Sequence, residues 1–261
     1  MINAIKGLIK YRDLLLMLTF RDIRIRYKQA AMGFLWAIFM PVVAVFAGIL
    51  VRQAMLFVSG KSLETHNVVS IAIKVLPWTF FANSIRFSVQ SLVSNRDLLT
   101  KIYFPRAVLP LSSTLACAFD FSIAAAVIPF VMLFTGIGAS VQLLWIPSLL
   151  VFLFLFTFGL GLLLSAANLF YRDVKYVVDI ILTFGIFFTP VFYEASDLGK
   201  WKNLMLYNPL GSILESLHRV VVLKMLPDPF WFSYAGAVSI IMFCVGLSVF
   251  YGKEQDFAEN V

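Results

Sequence analysis

Residues 24–51 read RIRYKQAAMGFLWAIFMPVVAVFAGILV. The basic residues Arg24, Arg26 and Lys28 stand just ahead of a run from Gly33 to Val51 that contains no charge. A helix needs about 20 apolar residues to cross a bilayer, and Lys or Arg beside such a run marks the cytoplasmic side. The first span is therefore placed at 33–58, kinked at Pro41 and meeting Arg52 and Gln53 at the far interface.

Composition extends that conclusion to the whole chain. Of its 261 residues 61% are hydrophobic and 13% charged, against roughly 25% charged in soluble domains. A soluble fold of this size could not cover so much apolar surface. The net charge of +7 belongs to span flanks and anionic headgroups. No basic face with interleaved aromatics lies outside the apolar runs, so nucleic acid is not an expected partner. Cys117 and Cys244 sit inside apolar runs without a CxxC pair and read as small buried hydrophobes. No cleavable signal peptide is expected, because the first long apolar run starts near Gly33 and is too long for one.

Upstream, residues 1–32 combine a basic cluster with apolar positions at Ile2, Ile5, Leu8, Ile9, Leu15 and Leu16, which predicts an amphipathic helix lying in the headgroup plane. Downstream, spans are predicted at about 69–93, 107–134, 143–169, 176–192 and 230–251, making six. The second carries Lys74, Pro77, Asn83 and Arg86, so it should face protein or a water-filled cavity. The short turn at 135–142 makes the third and fourth spans antiparallel neighbours. Between the last two spans, residues 194–229 mix charges with apolar positions. The stretch 211–223 is too short to cross, and is either interfacial or re-entrant. With six spans, the side holding the N-terminus carries about twice the Lys and Arg of the other, which puts both termini in the cytoplasm.

Catalytic patterns are missing. Gly60-Lys61-Ser62 resembles the end of a phosphate-binding loop, but the required first glycine is Met55. His66 and His218 stand alone and read as surface histidines. Asp120 is the one acid deep in a span; it serves either proton coupling or a pairing with an arginine or hydroxyl in the bundle. Trp36, Phe39, Phe184, Phe187, Phe188 and Tyr193 fit lipid-facing packing, or else a path on which the apolar faces of sugar rings slide.

These pieces together resemble the ABC-2-type permeases that export polysaccharides such as O-antigen, capsule and teichoic acid. The likeness is carried by Arg24-Ile-Arg26-Tyr27-Lys28 before Gly33-Phe-Leu-Trp36 and Pro41; by Lys101-Ile-Tyr-Phe104-Pro105; by Phe170-Tyr171-Arg172-Asp173; by Thr189-Pro190; and by Asn208-Pro209-Leu210. It implies an all-α membrane protein working as a homodimer in the bacterial inner membrane, with two ATP-binding subunits that hold the ATP and Mg. No cofactor is then expected on this chain. It further implies that 94–106 is a cytoplasmic coupling helix docked on the ATPase and that 194–229 forms short re-entrant helices near the pore exit. Arg96, Asp97, Lys101 and Arg106, with Phe104 and Pro105, would make the coupling contact. Arg24, Arg26, Tyr27 and Lys28 stand where a lipid-pyrophosphate-linked glycan would arrive, and arginine suits phosphate through its bidentate fork. Membrane lipids complete the set of partners. The competing expectations are an ABC-2 permease for a drug or lipid, a secondary carrier using Asp120, and a membrane-embedded glycosyltransferase.

Overall fold

The structure is a computed structural model that describes residues 2–28, 33–58, 65–254 and 257. The expectations on 29–32 and Gly60-Lys61-Ser62 fall outside those residues. In chain order the α-helices are α1 (Ile2–Lys10), α2 (Arg12–Tyr27), α3 (Trp36–Val58), α4 (Thr65–Ser94), α5 (Arg96–Lys101), α6 (Val108–Ala125), α7 (Ile128–Phe134), α8 (Ile146–Phe170), α9 (Val174–Gly185), α10 (Lys202–Leu206), α11 (Pro209–Val221) and α12 (Pro229–Lys253). Helix is what this composition dictates, since lipid offers no partner for backbone N–H and C=O groups. Prolines mark the starts of α7, α8, α11 and α12, where the missing N–H costs nothing. Pro129 also explains the break at 126–127 between α6 and α7.

Five stretches are long and apolar enough to cross a membrane: Trp36–Phe57, His66–Ser94, Val108–Phe134, Val141–Phe170 and Pro229–Lys253. The sequence places the second span at 69–93, and its polar residues require protein around it. Accordingly α4 is the central helix, with 83% of its most apolar window buried against 11% for α3. It packs on α6, α8 and α3, while α8 packs chiefly on α12.

The fifth expected span, 176–192, is helical only as far as Gly185. Twelve residues of α-helix rise about 18 Å, short of the ~30 Å hydrocarbon core. The segment runs along α4 from the level of Val89, which accepts from Asn168, to the level of Lys74. At its start the Lys175 N–H donates to Asn168 Oδ1 (3.2 Å), and at its finish the Tyr193 carbonyl accepts from Lys74 Nζ (3.2 Å). The turns over 186–193 satisfy themselves locally: Thr189 Oγ1 donates to the Gly185 carbonyl, and Tyr193 Oη to the Phe187 carbonyl. Val191 and Thr189 are buried, which is where irregular backbone is tolerated at membrane depth.

The two ends of the bundle differ. At the connector end, Leu18 of α2, Leu92 of α4, Leu99 of α5, Phe104, Val108 of α6, Leu169 of α8, Phe250 of α12 and Phe257 form one buried cluster. The opposite, hairpin end holds the 3-10 turn Ala195–Trp201 with α10 and α11, against the end of α3 and the start of α4. The N-terminal region is two helices rather than one. Leu8, Leu14 and Leu15 pack on the connector-end cluster, whereas Ile9 and Leu16 are exposed. Helix α2 lies along α6, so it is held by protein as well as by any interface.

Candidate functional site

The connector 95–107 joins α4 to α6. Asn95 starts α5, and Leu99 turns into the connector-end cluster while Arg96, Asp97, Thr100 and Lys101 face out. The Lys101–Asp97 pair, at 3.7 Å and largely exposed, contributes little to stability, so both charges are available to a partner. After α5 the backbone is extended at Ile102. Ile102 and Tyr103 are exposed, Tyr103 at 95%, and Phe104 is buried in the cluster. Pro105 approaches Gly7 of α1. Arg106 departs from the expectation of an outward charge. Its N–H donates to Glu254 Oε1 (3.0 Å), its guanidinium bonds the Glu254 carbonyl, and it lies 5.8 Å from the Phe257 ring centroid. It fastens the connector to the end of α12. Tyr103 and Ile102 are the surface residues that sequence alone missed.

A second cluster joins α2 to α6. Arg26 Nη1 donates to Asp120 Oδ2 and Tyr27 Oη donates to Asp120 Oδ1, both at 2.7 Å. The guanidinium also lies 4.0 Å from the Phe87 ring centroid, a cation–π distance. Asp120 thus takes both an arginine and a hydroxyl. Burial, and then the bond to Asp120, hold the Tyr27 phenol well above its ordinary value, so it remains a donor. The basic cluster is split by this geometry. Arg26 and Tyr27 turn in, while Arg24 and Lys28 are exposed and line an open groove with Met17, Phe20, Arg21 and Ile25.

The third cluster, at the hairpin end, had no signal in the sequence beyond the cost of a charge in an apolar run. Lys74, 1% exposed, puts Nζ 2.9 Å from Glu215 Oε2. Arg52 Nη1 meets Asp197 Oδ2 at 2.5 Å. Ser70 Oγ hydrogen-bonds His218 Nδ1 at 2.8 Å. The expected surface histidine at 218 is thus a buried one, because α11 turns it against α4. Burial first and Lys74 second push the His218 imidazole down to about 4, so it is neutral near pH 7. Burial alone would raise the Glu215 carboxyl, but Lys74 and His218 outweigh it and hold it below the usual range.

The aromatic candidates are dispersed. Phe184, Phe187 and Phe188 are exposed at the end of α9 and in the turn after it. Trp36 and Phe39 meet edge-on at 5.4 Å at the start of α3. Tyr193 is half-buried and closes a turn. A stripe of α4 carries the exposed Asn83, Phe87 and Gln90 with the half-buried Arg86, whose Nε lies 3.1 Å from Asp179 of α9. Cys117 is buried and Cys244 partly so.

Comparison with known proteins agrees with this architecture. A family model for the ABC-2 type transporter matches residues 13–222. The O-antigen export system permease protein RfbA of Myxococcus xanthus is 28% identical over 264 residues, which covers 100% of both chains. A Klebsiella pneumoniae protein of the same name is 30% identical over 250 residues, 95% of this chain and 94% of that one. The polysialic acid transport protein KpsM of Escherichia coli is 23% identical over 246 residues, 90% and 91% of the two chains. With most of its length matched by the family model, including the connector and every helix but α1 and α12, the chain belongs to the ABC-2 type transporter family.

Proposed function

We propose that this protein is the transmembrane subunit of an ATP-driven exporter that moves a lipid-linked polysaccharide from the cytoplasm across the inner membrane. The relatives named for O-antigen export and polysialic acid transport support the cargo class. The chain crosses six times, with α9 and the turns after it as the short fifth crossing, and both termini are cytoplasmic. Helix α1 lies at the interface, and α10 and α11 are re-entrant. Two copies form the permease, and two separate ATPase subunits bind the nucleotide and Mg. The glycan passes the uncovered polar stripe of α4 and the exposed aromatics of α9, since polar groups at membrane depth need water, protein or a hydroxylated cargo beside them.

The observation that carries this proposal is the connector. It is anchored on its inner side by Leu99, Phe104 and Arg106, and it offers Arg96, Asp97, Lys101 and Tyr103 on its outer side. A stiff element fixed to the ends of two long helices transmits a push from a moving partner. Reversing Arg96 and Lys101 to Glu, with Tyr103→Ala, should weaken co-purification with the ATPase at least about tenfold, as loss of complementary interface charge does, and abolish export. The permease should still insert and keep its thermal midpoint. Wild-type co-purification and export in this variant would refute the coupling role.

A separate outcome concerns the split basic cluster. Arg24→Gln with Lys28→Gln should lower export and leave thermal stability unchanged, because both side chains are exposed. Asp120→Leu should lower the thermal midpoint, because it strands the Arg26 charge. The opposite assignment of effects in export and thermal-melt assays would contradict the split.

A further inference from the structure

Between α3, α4 and the α6–α7 pair lies a slot of about 160 Å³ with no polar atom on its wall. Its shape follows from the spacing of the residues that line it. On α3 these are Ile38, Pro41, Val42 and Val45, and opposite them stand Ala124, Val127, Ile128 and Val131. Each set recurs at i, i+3, i+4 and i+7, the spacing of one helix face. Seven residues of helix rise about 10 Å, so the slot is long and runs beside both elements. Ala72 and Leu76 of α4 form its floor. Both are buried, as is Ala124, whereas Val42 at the rim is 50% exposed.

The slot exists because two of its walls are bent. Pro41 removes a hydrogen bond inside α3, and α6 breaks at 126–127 ahead of Pro129. Among the described residues no side chain fills the gap, although protein interiors leave few voids larger than a water molecule. All ten lining residues lie in stretches long and apolar enough to cross the membrane, so what reaches the rim is hydrocarbon. The exposed surface beside it agrees, with Val43 and Phe46 on α3 and Phe130 on α7. Water has nothing to hold it in the slot, since a buried water needs about two to four polar partners. A dry apolar cavity of about 150 Å³ in a soluble protein takes up benzene. One of that size opening on lipid meets alkyl chains instead.

We propose that the slot binds one acyl chain of a membrane phospholipid, laid along α3 and α7 with its methylenes on Ala72 and Leu76. The chain supplies packing that the bent helices cannot, beside α3, the span with the least protein cover. Phospholipid far outnumbers any lipid-linked cargo in a bilayer, so mass action assigns the slot to it. The inference needs only the membrane placement of α3, α4 and α6, and not the export function.

The test uses the full chain in phosphatidylcholine nanodiscs, doped with a phosphatidylcholine that carries a diazirine midway along one acyl chain. After irradiation, peptide mass spectrometry maps the adducts. Ile241, exposed on α12, reports ordinary lipid contact, and Leu149 and Leu153, buried in α8, report the background. Ala72 and Leu76 should be labelled like Ile241 and unlike the two α8 leucines. Ala124→Leu, which extends into the slot, should abolish label at Ala72 and Leu76 and leave Ile241 unchanged. If that variant does not fold, the contrast between α4 and α8 in the wild type still decides. The proposal is overturned if Ala72 and Leu76 label no more than Leu149 and Leu153, as α3 closed on α4 or a second copy covering the rim would produce. It is overturned equally if their label survives in folded Ala124→Leu, since the chain then reaches them by another route.

Discussion

Lys74→Met should destabilise the protein by about 3–5 kcal/mol, the cost of breaking a buried ion pair from one side. Lys74 is 1% exposed, and its ammonium bonds both the Glu215 carboxylate and the Tyr193 carbonyl. Methionine fills a similar volume, so the loss comes from Glu215, 14% exposed and deprived of its ammonium partner. Glu215 holds α11 against α4, and Tyr193 ends the fifth segment. The hairpin end should therefore loosen first, as faster amide exchange over 193–221. The double variant Lys74→Met/Glu215→Leu should recover most of the loss, because replacing both partners by apolar groups of similar shape is near neutral. Thermal melts of the detergent-solubilised protein check this. Full stability in the single variant, or no recovery in the double, would show that the pair does not hold the hairpin.

Gly246→Val should be at least as damaging, by steric means. A Cβ at Gly246 would stand 2.3 Å from the Gly159 carbonyl oxygen, and one at Gly159 would stand 2.6 Å from the Met242 carbonyl. Helices α8 and α12 meet here backbone to backbone. Close approach over small residues is how helices associate in lipid, where apolar burial supplies no net drive between them. Neither neighbour is a side chain that could swing away, so the helices must separate, at a cost of about 3 kcal/mol or more. The connector-end cluster shares Phe158, Leu162, Leu247 and Phe250 between these helices, so its packing would open too. Gly252, on the same helix with nothing within 4 Å, is the control. Gly252→Ala should be neutral, or stabilising by up to ~1 kcal/mol through helix propensity. Size-exclusion profiles before and after heating separate the two substitutions, and equal behaviour would contradict the close packing.

Much of this architecture is legible in the sequence because lipid imposes few solutions. Long uncharged runs had to be helices, and the polar second span had to be wrapped in protein, as α4 is. The carboxylate of Asp120 had to find a donor, and it found two. The fifth span misled because hydropathy measures apolar length, not helical length. Residues 176–192 are apolar apart from Asp179 and two threonines, but Pro190 lacks an N–H, and the turns before it end the helix at Gly185. Arg106 was taken for a partner contact because a basic residue in a connector reads as solvated, and its clasp on Glu254 spans 148 positions. His218 was missed for the same reason. Its partner Ser70 is equally far away, and a lone histidine on an amphipathic helix gives no sign of which face is covered. Lys74 did carry a usable signal, since a lysine inside an apolar run must find an acid. The 194–229 segment was the place to look, but Glu194, Asp197 and Glu215 could not be told apart without coordinates.

The central claim is that the connector and both termini share the cytoplasmic face while the α10–α11 hairpin sits outside. The direct measurement is site-specific labelling of single cysteines in intact cells and inverted vesicles, in a background with Cys117 and Cys244 replaced by serine. Cysteines at Lys6, Asp97 and Lys253 should label only in inverted vesicles, and one at Lys200 only in intact cells. Labelling of Lys6 and Lys253 from opposite sides would mean an odd number of crossings and would contradict the account.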